Sequence, residues 1–367
     1  MTGVYVHIPF CIVRCNYCDF NAYSGLDHLA DRYVEALLTE IDERADSRAI
    51  ETVFFGGGTP TQLSTAQLGS ILERLGARFH LAPDAELTIE ANPESVSREV
   101  FERLNDSGFN RVSIGIQSLT PSVLESLGRV HDAAAASRAL RQAVSSGISH
   151  VNADLIFGTP GESMADWRRT LQEVVEAGVD HVSAYALTIE QGTPLHALIE
   201  RGSATAPDED DQADKYEFCH EYLTDRGFRR YEVSNWGKPG AECRHNLGYW
   251  QAGDYFGFGA GAHSHFDGRR SWNVKSVQGY IDQSPQVEDD SEIISDRVSE
   301  AAVLGLRLAE GIDVPSFTSR WGVSPLDRWG SALAALKLTG RVELDERRIV
   351  IPEDRFFVAG EVLRALI

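Results

Sequence analysis

The sequence predicts an α/β protein, with an open, partial (β/α)6 barrel followed by a small helical, winged-helix-like domain. Through the first half of the chain, short runs rich in β-branched residues alternate with amphipathic segments. This alternation indicates βαβ units and a parallel sheet. Six such units are present, fewer than the eight of a closed barrel. Because chemistry in such folds lies at the carboxyl ends of the strands, candidate site residues are expected just after each strand.

The predicted elements follow in chain order. Strands are predicted at 4–8, 52–55, 86–90, 111–116, 151–157 and 181–186, and helices with apolar residues at helical spacing at 29–44, 65–79, 97–107, 133–146 and 165–177. A helical pattern returns at 297–309, 315–321 and 326–338, before a hairpin that pairs 342–344 with 349–351. These patterns divide the chain into a barrel at 1–235, a segment at 236–290 packed on the barrel, and a C-terminal domain at 291–367.

Charge and hydropathy exclude several function classes. Lys and Arg number 34 and Asp and Glu 55 among 367 residues, so the formal charge is 34 − 55 = −21. Such acidity argues against nucleic-acid binding, which requires a basic face. We expect no transmembrane segment, since no apolar run approaches about eighteen residues, and no signal peptide, since the first residues lack a basic region. The expected location is the cytoplasm, which leaves peripheral contact with a membrane open.

Three of the five cysteines, Cys11, Cys15 and Cys18, lie within eight residues, directly after the first predicted strand. In a cytoplasmic chain this spacing indicates metal rather than disulfides. Three thiolates can hold three irons of a [4Fe-4S] cluster and leave the fourth iron open to the amine and carboxylate of S-adenosylmethionine. The alternatives are zinc, which would need a fourth ligand such as His7, and inert core cysteines.

Polar and glycine residues follow several of the predicted strands. A Gly-Gly-Gly-Thr-Pro turn at 56–60 ends the second strand, where backbone groups can approach a ligand closely. Glu90 closes the third strand, Gln117 closes the fourth, and Asp154 lies on the fifth. Buried polar groups need partners, so these side chains either fix loops or contact a ligand. Arg129 is a candidate for neutralising a ligand carboxylate.

The cysteine loop, the glycine turn and the Ile-Glu-Ala-Asn-Pro strand end at 89–93 resemble the HemN/HemW family of radical S-adenosylmethionine proteins. The resemblance covers nearly the whole chain. It implies a [4Fe-4S] cluster and S-adenosylmethionine. The cofactor contacts that it implies are Tyr5, Gly57, Gly58, Thr59, Glu90, Gln117, Arg129 and Asp154, with Tyr17 beside the adenine. Ala186 is a weaker match, because its spacing differs from HemN.

Two branches of this family differ in their motifs. HemN, the oxygen-independent coproporphyrinogen III oxidase, carries a long N-terminal extension and a further cysteine two residues after the third. Here the first cysteine is residue 11, and Phe20 occupies that further position. The HemW branch, regarded as heme chaperones, carries an HNxxYW motif. This chain has the motif at His245, Asn246, Tyr249 and Trp250.

The HNxxYW segment suits heme chemically, because imidazole is a common axial ligand of heme iron and aromatic rings offer flat apolar area. We therefore predict heme binding there, with His245 as the iron ligand. The alternative is a buried His245 satisfied by hydrogen bonds, with the aromatics as core. Cys243 is an alternative or second ligand, and His263, in a glycine-rich stretch expected to pack tightly near the barrel mouth, is a candidate porphyrin neighbour.

The resemblance thus implies a heme chaperone that delivers heme to an acceptor protein, such as a respiratory enzyme, with an unidentified electron donor as a further partner. The alternative is coproporphyrinogen III oxidase or another tetrapyrrole-modifying radical enzyme. The missing HemN features weigh against the oxidase. No catalytic residue is assigned, because the sequence does not show whether S-adenosylmethionine is cleaved.

Overall fold

A computed structural model describes residues 2–266, 268–283, 287–293 and 296–366 of the chain. The strands are β1 (Thr2–Ile8), β2 (Phe10–Cys11), β3 (Tyr23–Ser24), β4 (Ala49–Gly57), β5 (His80–Ala91), β6 (Arg111–Gln117), β7 (His150–Phe157), β8 (His181–Ala186), β9 (Arg229–Glu232), β10 (Asn235–Gly237), β11 (Asp254–Phe258), β12 (His263–Phe266), β13 (Arg269–Asn273), β14 (Val287–Ile293), β15 (Ile312–Asp313), β16 (Glu343–Leu344) and β17 (Arg348–Val350).

The α-helices are α1 (Ala30–Arg44), α2 (Thr65–Arg78), α3 (Arg98–Asp106), α4 (Pro121–Leu127), α5 (Ala133–Val144), α6 (Met164–Glu176), α7 (Pro194–Glu200), α8 (Glu209–Thr224), α9 (Arg244–Trp250), α10 (Val277–Gln283), α11 (Arg297–Gly305), α12 (Val314–Trp321), α13 (Pro325–Arg328), α14 (Gly330–Leu338) and α15 (Gly360–Arg364). Local sequence sets many of their limits. Ser64 and Gln67 form a capping box at the start of α2, and Ser163 and Asp166 form one at the start of α6.

Twelve strands form one sheet in the order β14-β13-β12-β11-β1-β4-β5-β6-β7-β8-β10-β9. The six central strands, β1 and β4 to β8, are parallel neighbours, which confirms the predicted partial (β/α)6 barrel. The sheet extends further at both edges. Strand β11 adds in parallel to β1, and β10 adds antiparallel to β8. The domain boundaries predicted at residues 235 and 290 stay a prediction. Strands before and after residue 235 belong to the same sheet.

The two faces of the central strands differ in character. In β6, Val112, Ile114 and Ile116 are fully buried among the apolar residues that pack against the outer helices. On the opposite face of the same strand, Arg111 and Ser113 line a small internal cavity. Strands alternate their side chains between faces, so the barrel has an apolar outer layer and a polar lumen.

The C-terminal region has its own hydrophobic cluster, which joins α11, α12, α14 and the small sheet β15-β17-β16. The predicted hairpin is present as β16 and β17. The single helix predicted at 326–338 is divided between α13 and α14, because Trp329 leaves helical geometry with φ −115° and ψ 22° and packs edge-on against Phe317. No helix in the described ranges has the length and apolarity needed to cross a membrane.

Candidate functional site

The three clustered cysteines lie on the loop that follows β1, at the carboxyl end of the barrel. All three are partly exposed, and none is in a disulfide. The sulfur of Cys11 lies 3.6 Å from the Thr59 hydroxyl, and Arg129 donates from Nη1 to the sulfur of Cys15 at 3.3 Å. Two of the predicted contacts, Thr59 and Arg129, therefore touch the cysteine loop directly.

The chemistry of these thiols fits a cluster. Burial raises the pKa of Cys11 to about 11 and raises the pKa of Cys18, so these two thiols hold their protons until a metal displaces them. Among the described side chains, no group of three His, Cys, Asp or Glu residues could hold one metal ion. A cubane cluster requires no such convergence, since each thiolate binds a different iron.

The glycine turn presses against the cysteine loop. A Cβ at Gly58 would lie 2.7 Å from the Phe10 carbonyl oxygen and 3.0 Å from the sulfur of Cys11, so only glycine fits there. Gly57 has φ +117°, a conformation that side chains rarely adopt, and its N–H donates to Glu90 at 3.1 Å. The turn is thereby fixed between the cysteines and the lumen.

Arg129 is buried and held by the end of β5 and by β6. Its Nη2 donates to Asn92 Oδ1 at 2.5 Å and to the Gly115 carbonyl at 2.9 Å, while its buried Nε has no hydrogen-bond partner within the described residues. The Arg129 guanidinium therefore has a donor left for a further partner.

Gln117, at the end of β6, has a backbone φ of +64°. A non-glycine residue in this strained region is characteristic of functional loops.

Two carboxyl groups face the upper lumen. Burial, followed by repulsion from Asp154, raises the pKa of Glu90 to about 8, and burial also raises the pKa of Asp154. Asp154 accepts hydrogen bonds from Ser113 at 2.6 Å and from Asn152 at 2.8 Å. Both carboxyl groups line a cavity of about 110 Å³ in the barrel.

The remaining predicted cofactor contacts surround this end. The Tyr5 hydroxyl lies 3.0 Å from Nδ1 of His7, the residue considered as a zinc ligand, so this ring nitrogen already has a partner. Tyr17 packs partly buried against a small cluster that includes Leu127 and Leu195, and Ala186 ends β8 half-buried. The structure therefore gathers the predicted cluster and S-adenosylmethionine residues at one end of the barrel.

The HNxxYW segment lies at the opposite end. It forms α9, whose first backbone N–H groups, from Arg244 and His245, donate to the Glu86 carboxylate at 2.9 and 3.0 Å. The imidazole of His245 lies near Gly3, at the start of β1. The helix therefore covers the amino end of the barrel, away from the cysteines.

His245 is buried and both of its ring nitrogens have partners. Nδ1 lies 2.8 Å from the Thr52 hydroxyl and Nε2 lies 2.9 Å from the Tyr249 hydroxyl. Burial lowers the pKa of His245 to about 4, so the imidazole is neutral. Neutral imidazole is the form that binds iron, but coordination would require Thr52 or Tyr249 to release a nitrogen.

The other residues of this segment have distinct places. Asn246 and Cys243 line the lumen cavity, and the Trp250 ring lies under the Arg307 guanidinium, 5.3 Å away. The Cys243 sulfur donates to Glu86 at 3.3 Å. His263 is exposed on β12. The prediction of tight packing around it is confirmed, since a Cβ at Gly257 would lie 1.9 Å from the His263 carbonyl oxygen.

Three contributors to these sites were not predicted: Glu86, Arg111 and Asn92. Glu86 accepts from Arg111 Nε at 3.1 Å and also anchors α9. A sequence signal was present, since Glu86, Thr88 and Glu90 alternate with apolar residues along one strand. Period-two polarity of this kind indicates a polar lumen, and it extends along the strand rather than lying only at its end.

Comparison with known proteins matches both parts of this architecture. The sequence model of the radical SAM superfamily matches residues 5–174, and that of the HemN C-terminal domain matches residues 295–354. Heme chaperone HemW of Mycobacterium tuberculosis is 41% identical, with 100% of this chain and 94% of that protein covered. The chain belongs to the HemW family.

Other HemW proteins show similar coverage. The Bacillus subtilis protein is 32% identical over 100% of this chain and 99% of its own length, and the Escherichia coli protein is 37% identical over 88% and 86%. Among solved structures, E. coli coproporphyrinogen III oxidase (HemN) superposes with a TM-score of 0.86 at 24% identity, covering 100% of this chain and 89% of that one. This chain thus shares its fold with the E. coli oxidase.

Proposed function

We propose that this protein is a heme chaperone that works in the cytoplasm, carries a [4Fe-4S] cluster with S-adenosylmethionine, and delivers heme to acceptor proteins such as respiratory enzymes. The observation that carries the proposal is the full-length similarity to proteins named heme chaperone HemW. The presence of Phe20, rather than cysteine, two residues after Cys18 favours the same function over the oxidase.

The carboxyl end supplies the residues for the cluster. Cys11, Cys15 and Cys18 would ligate it, and when bound it can supply one electron to the sulfonium of S-adenosylmethionine. Arg129 is held beside Cys15, where its charge would favour a ligand carboxylate. Glu90, with its raised pKa of about 8, can hold or accept a proton beside the glycine turn.

The amino end supplies the HNxxYW segment for heme. His245 is the proposed iron ligand, and its neutral state suits that role. Exchange of the Tyr249 hydrogen bond for iron would free Nε2 while Thr52 keeps Nδ1 in place. Such a second partner on the ligand imidazole is usual in metal sites.

The test is an anaerobic heme titration of the cluster-reconstituted protein, followed by the Soret band. The wild type is expected to bind heme stoichiometrically. The His245→Ala variant is expected to lose this binding, because the substitution removes the imidazole and its anchor to Thr52. If the wild type binds no heme but converts coproporphyrinogen III to protoporphyrinogen, the protein is an oxidase and the proposal is wrong.

A further inference from the structure

Asn92, directly after β5, lies between the two side chains that contact the cysteine sulfurs. Its Oδ1 accepts from Arg129 Nη2 at 2.5 Å, and its Nδ2 donates to the Thr59 hydroxyl at 2.7 Å. A guanidinium has only donors, so the amide oxygen must face Arg129 and the amide nitrogen must face Thr59. One amide therefore joins the glycine turn to the loop that follows α4.

This amide decides where the proton of the Thr59 hydroxyl points. Because Thr59 Oγ1 accepts from Asn92, its own proton is left for its other neighbour, the sulfur of Cys11 at 3.6 Å. A cysteine that binds iron is a thiolate, which can only accept. Thr59 is 2% exposed, so water has little access to this hydroxyl. The hydroxyl is thereby directed at Cys11 as a donor.

The same amide fixes the donor that Arg129 presents to Cys15. Nη2 of Arg129 donates to Asn92 and, at 2.9 Å, to the Gly115 carbonyl, while Nη1 donates to the sulfur of Cys15 at 3.3 Å. A guanidinium is a rigid plane, so holding one terminal nitrogen sets the direction of the other. Two different sulfurs thus receive donors whose directions depend on Asn92.

The fold provides a fitted place for the Asn92 side chain. A Cβ at Gly115 would lie 2.6 Å from Asn92 Oδ1, so the glycine of β6 leaves room for the amide. The Asn92 backbone N–H donates to Ser95 Oγ at 3.2 Å, and Ser95 Oγ lies 2.6 Å from the Thr61 hydroxyl. Contacts within the protein therefore hold the amide in place.

We propose that Asn92 is a positioning residue that raises the reduction potential of the [4Fe-4S] cluster by directing two hydrogen-bond donors onto its cysteine ligands. The reduced cluster carries one more negative charge than the oxidised cluster, and donors at the sulfurs stabilise that charge. The inference rests on the cluster of the proposed function and adds the side chain that sets how readily the cluster is reduced.

The test is a redox titration of the anaerobically reconstituted full chain without S-adenosylmethionine. Titanium(III) citrate gives one electron to each oxidised cluster and becomes titanium(IV), and EPR spectroscopy measures the reduced cluster. Asn92→Ala leaves neither donor directed. At a fixed solution potential, the ratio of reduced to oxidised cluster should fall about tenfold, which corresponds to a midpoint about 59 mV more negative. The matched control is Asn105→Ala, at a half-buried position on the outer helix α3, which should leave the midpoint unchanged.

A second variant tests whether Asn92 acts through the donors. Thr59→Val keeps the shape of the side chain and removes the hydroxyl, so the midpoint should become more negative. Asn92→Ala should then lower the midpoint by less in the Thr59→Val background than in the wild type. Equal shifts in both backgrounds, or an unchanged midpoint in Asn92→Ala, would show that the assignment is wrong.

Iron and sulfide analysis separates this inference from the proposed function. If the wild type assembles no cluster, the cluster of the proposed function fails and the inference fails with it. If only Asn92→Ala lacks a full cluster, the midpoint of Thr59→Val decides. A more negative midpoint in Thr59→Val supports the inference, and an unchanged midpoint overturns it while the proposed function stands.

Discussion

At the scale of single residues, burial in this fold changes the pKa of the Glu232 carboxyl group. The residue ends β9 and is fully buried, and its Oε1 accepts the Ser234 N–H at 3.2 Å. Burial raises the pKa of its carboxyl group to about 7. The folded protein therefore holds a proton on Glu232 at pH values where the unfolded chain has released it. By linkage, this stabilises the fold at low pH, and the effect is lost as the pH rises through about 7.

We predict that replacing this carboxyl group changes the pH dependence of stability. Between pH 5 and pH 8, the unfolding free energy of the apo wild type should fall relative to Glu232→Gln by on the order of 2 kcal/mol. Urea denaturation at both pH values measures the difference. The control is Glu346→Gln at an exposed position, whose unfolding free energy should change with pH as that of the wild type does. If the unfolding free energy of Glu232→Gln also changes with pH as in the wild type, the prediction is wrong.

At the scale of elements, α9 depends on a distant strand. It has only seven residues, and the side chain of its N-cap residue, Cys243, makes no capping hydrogen bond. Short helices are marginal on their own. Glu86 of β5, 159 positions before His245, caps the helix instead and pairs with the buried Arg111. The helix and the strand therefore form one unit.

Loss of this cap should be costly. Glu86→Gln removes one partner of a buried ion pair, so we expect the unfolding free energy to fall by about 3 kcal/mol. The control is Glu51→Gln, whose partly exposed carboxylate lies 3.7 Å from Arg244 and should cost less than about 1 kcal/mol. Urea denaturation of both variants checks this, and equal losses would refute the capping role of Glu86.

At the scale of the whole molecule, the cysteine loop and the HNxxYW helix lie at opposite ends of the barrel. The cysteines lie after β1, and α9 covers the other end. The lumen cavity joins the two ends, because Glu90 and Asp154 line it together with Cys243 and Asn246. A cluster-bound ligand and heme would therefore occupy opposite ends of one sheet and would not compete for space.

This separation predicts that heme binding survives loss of the cluster. Cys15→Ser should abolish stoichiometric iron and acid-labile sulfide after reconstitution, yet bind heme with an affinity near that of the wild type. Cys219→Ala, at a fully buried core position, should keep both properties. Iron and sulfide assays with a heme titration measure the outcome. Retention of a full cluster would overturn the ligand assignment, and joint loss of heme would contradict the separation.

By itself, the sequence determined the features that reside in contiguous residues. The alternation of strands and helices, the spacing of the cysteines and the Gly57–Gly58 turn each act within a short stretch, so local geometry was sufficient to predict them. The HNxxYW helix was identified as a motif, but its environment was not, because contacts such as Thr52 with His245 join residues 193 positions apart.

Only the tertiary structure decided which end of the barrel each motif occupies. The parallel addition of β11 to β1 starts β11 at the amino edge and so places the preceding α9 there. The same packing gave each ring nitrogen of His245 a hydrogen-bond partner. The physical reason is that a residue type sets what a side chain can bind, whereas the neighbours brought by the fold decide which of its atoms remain available.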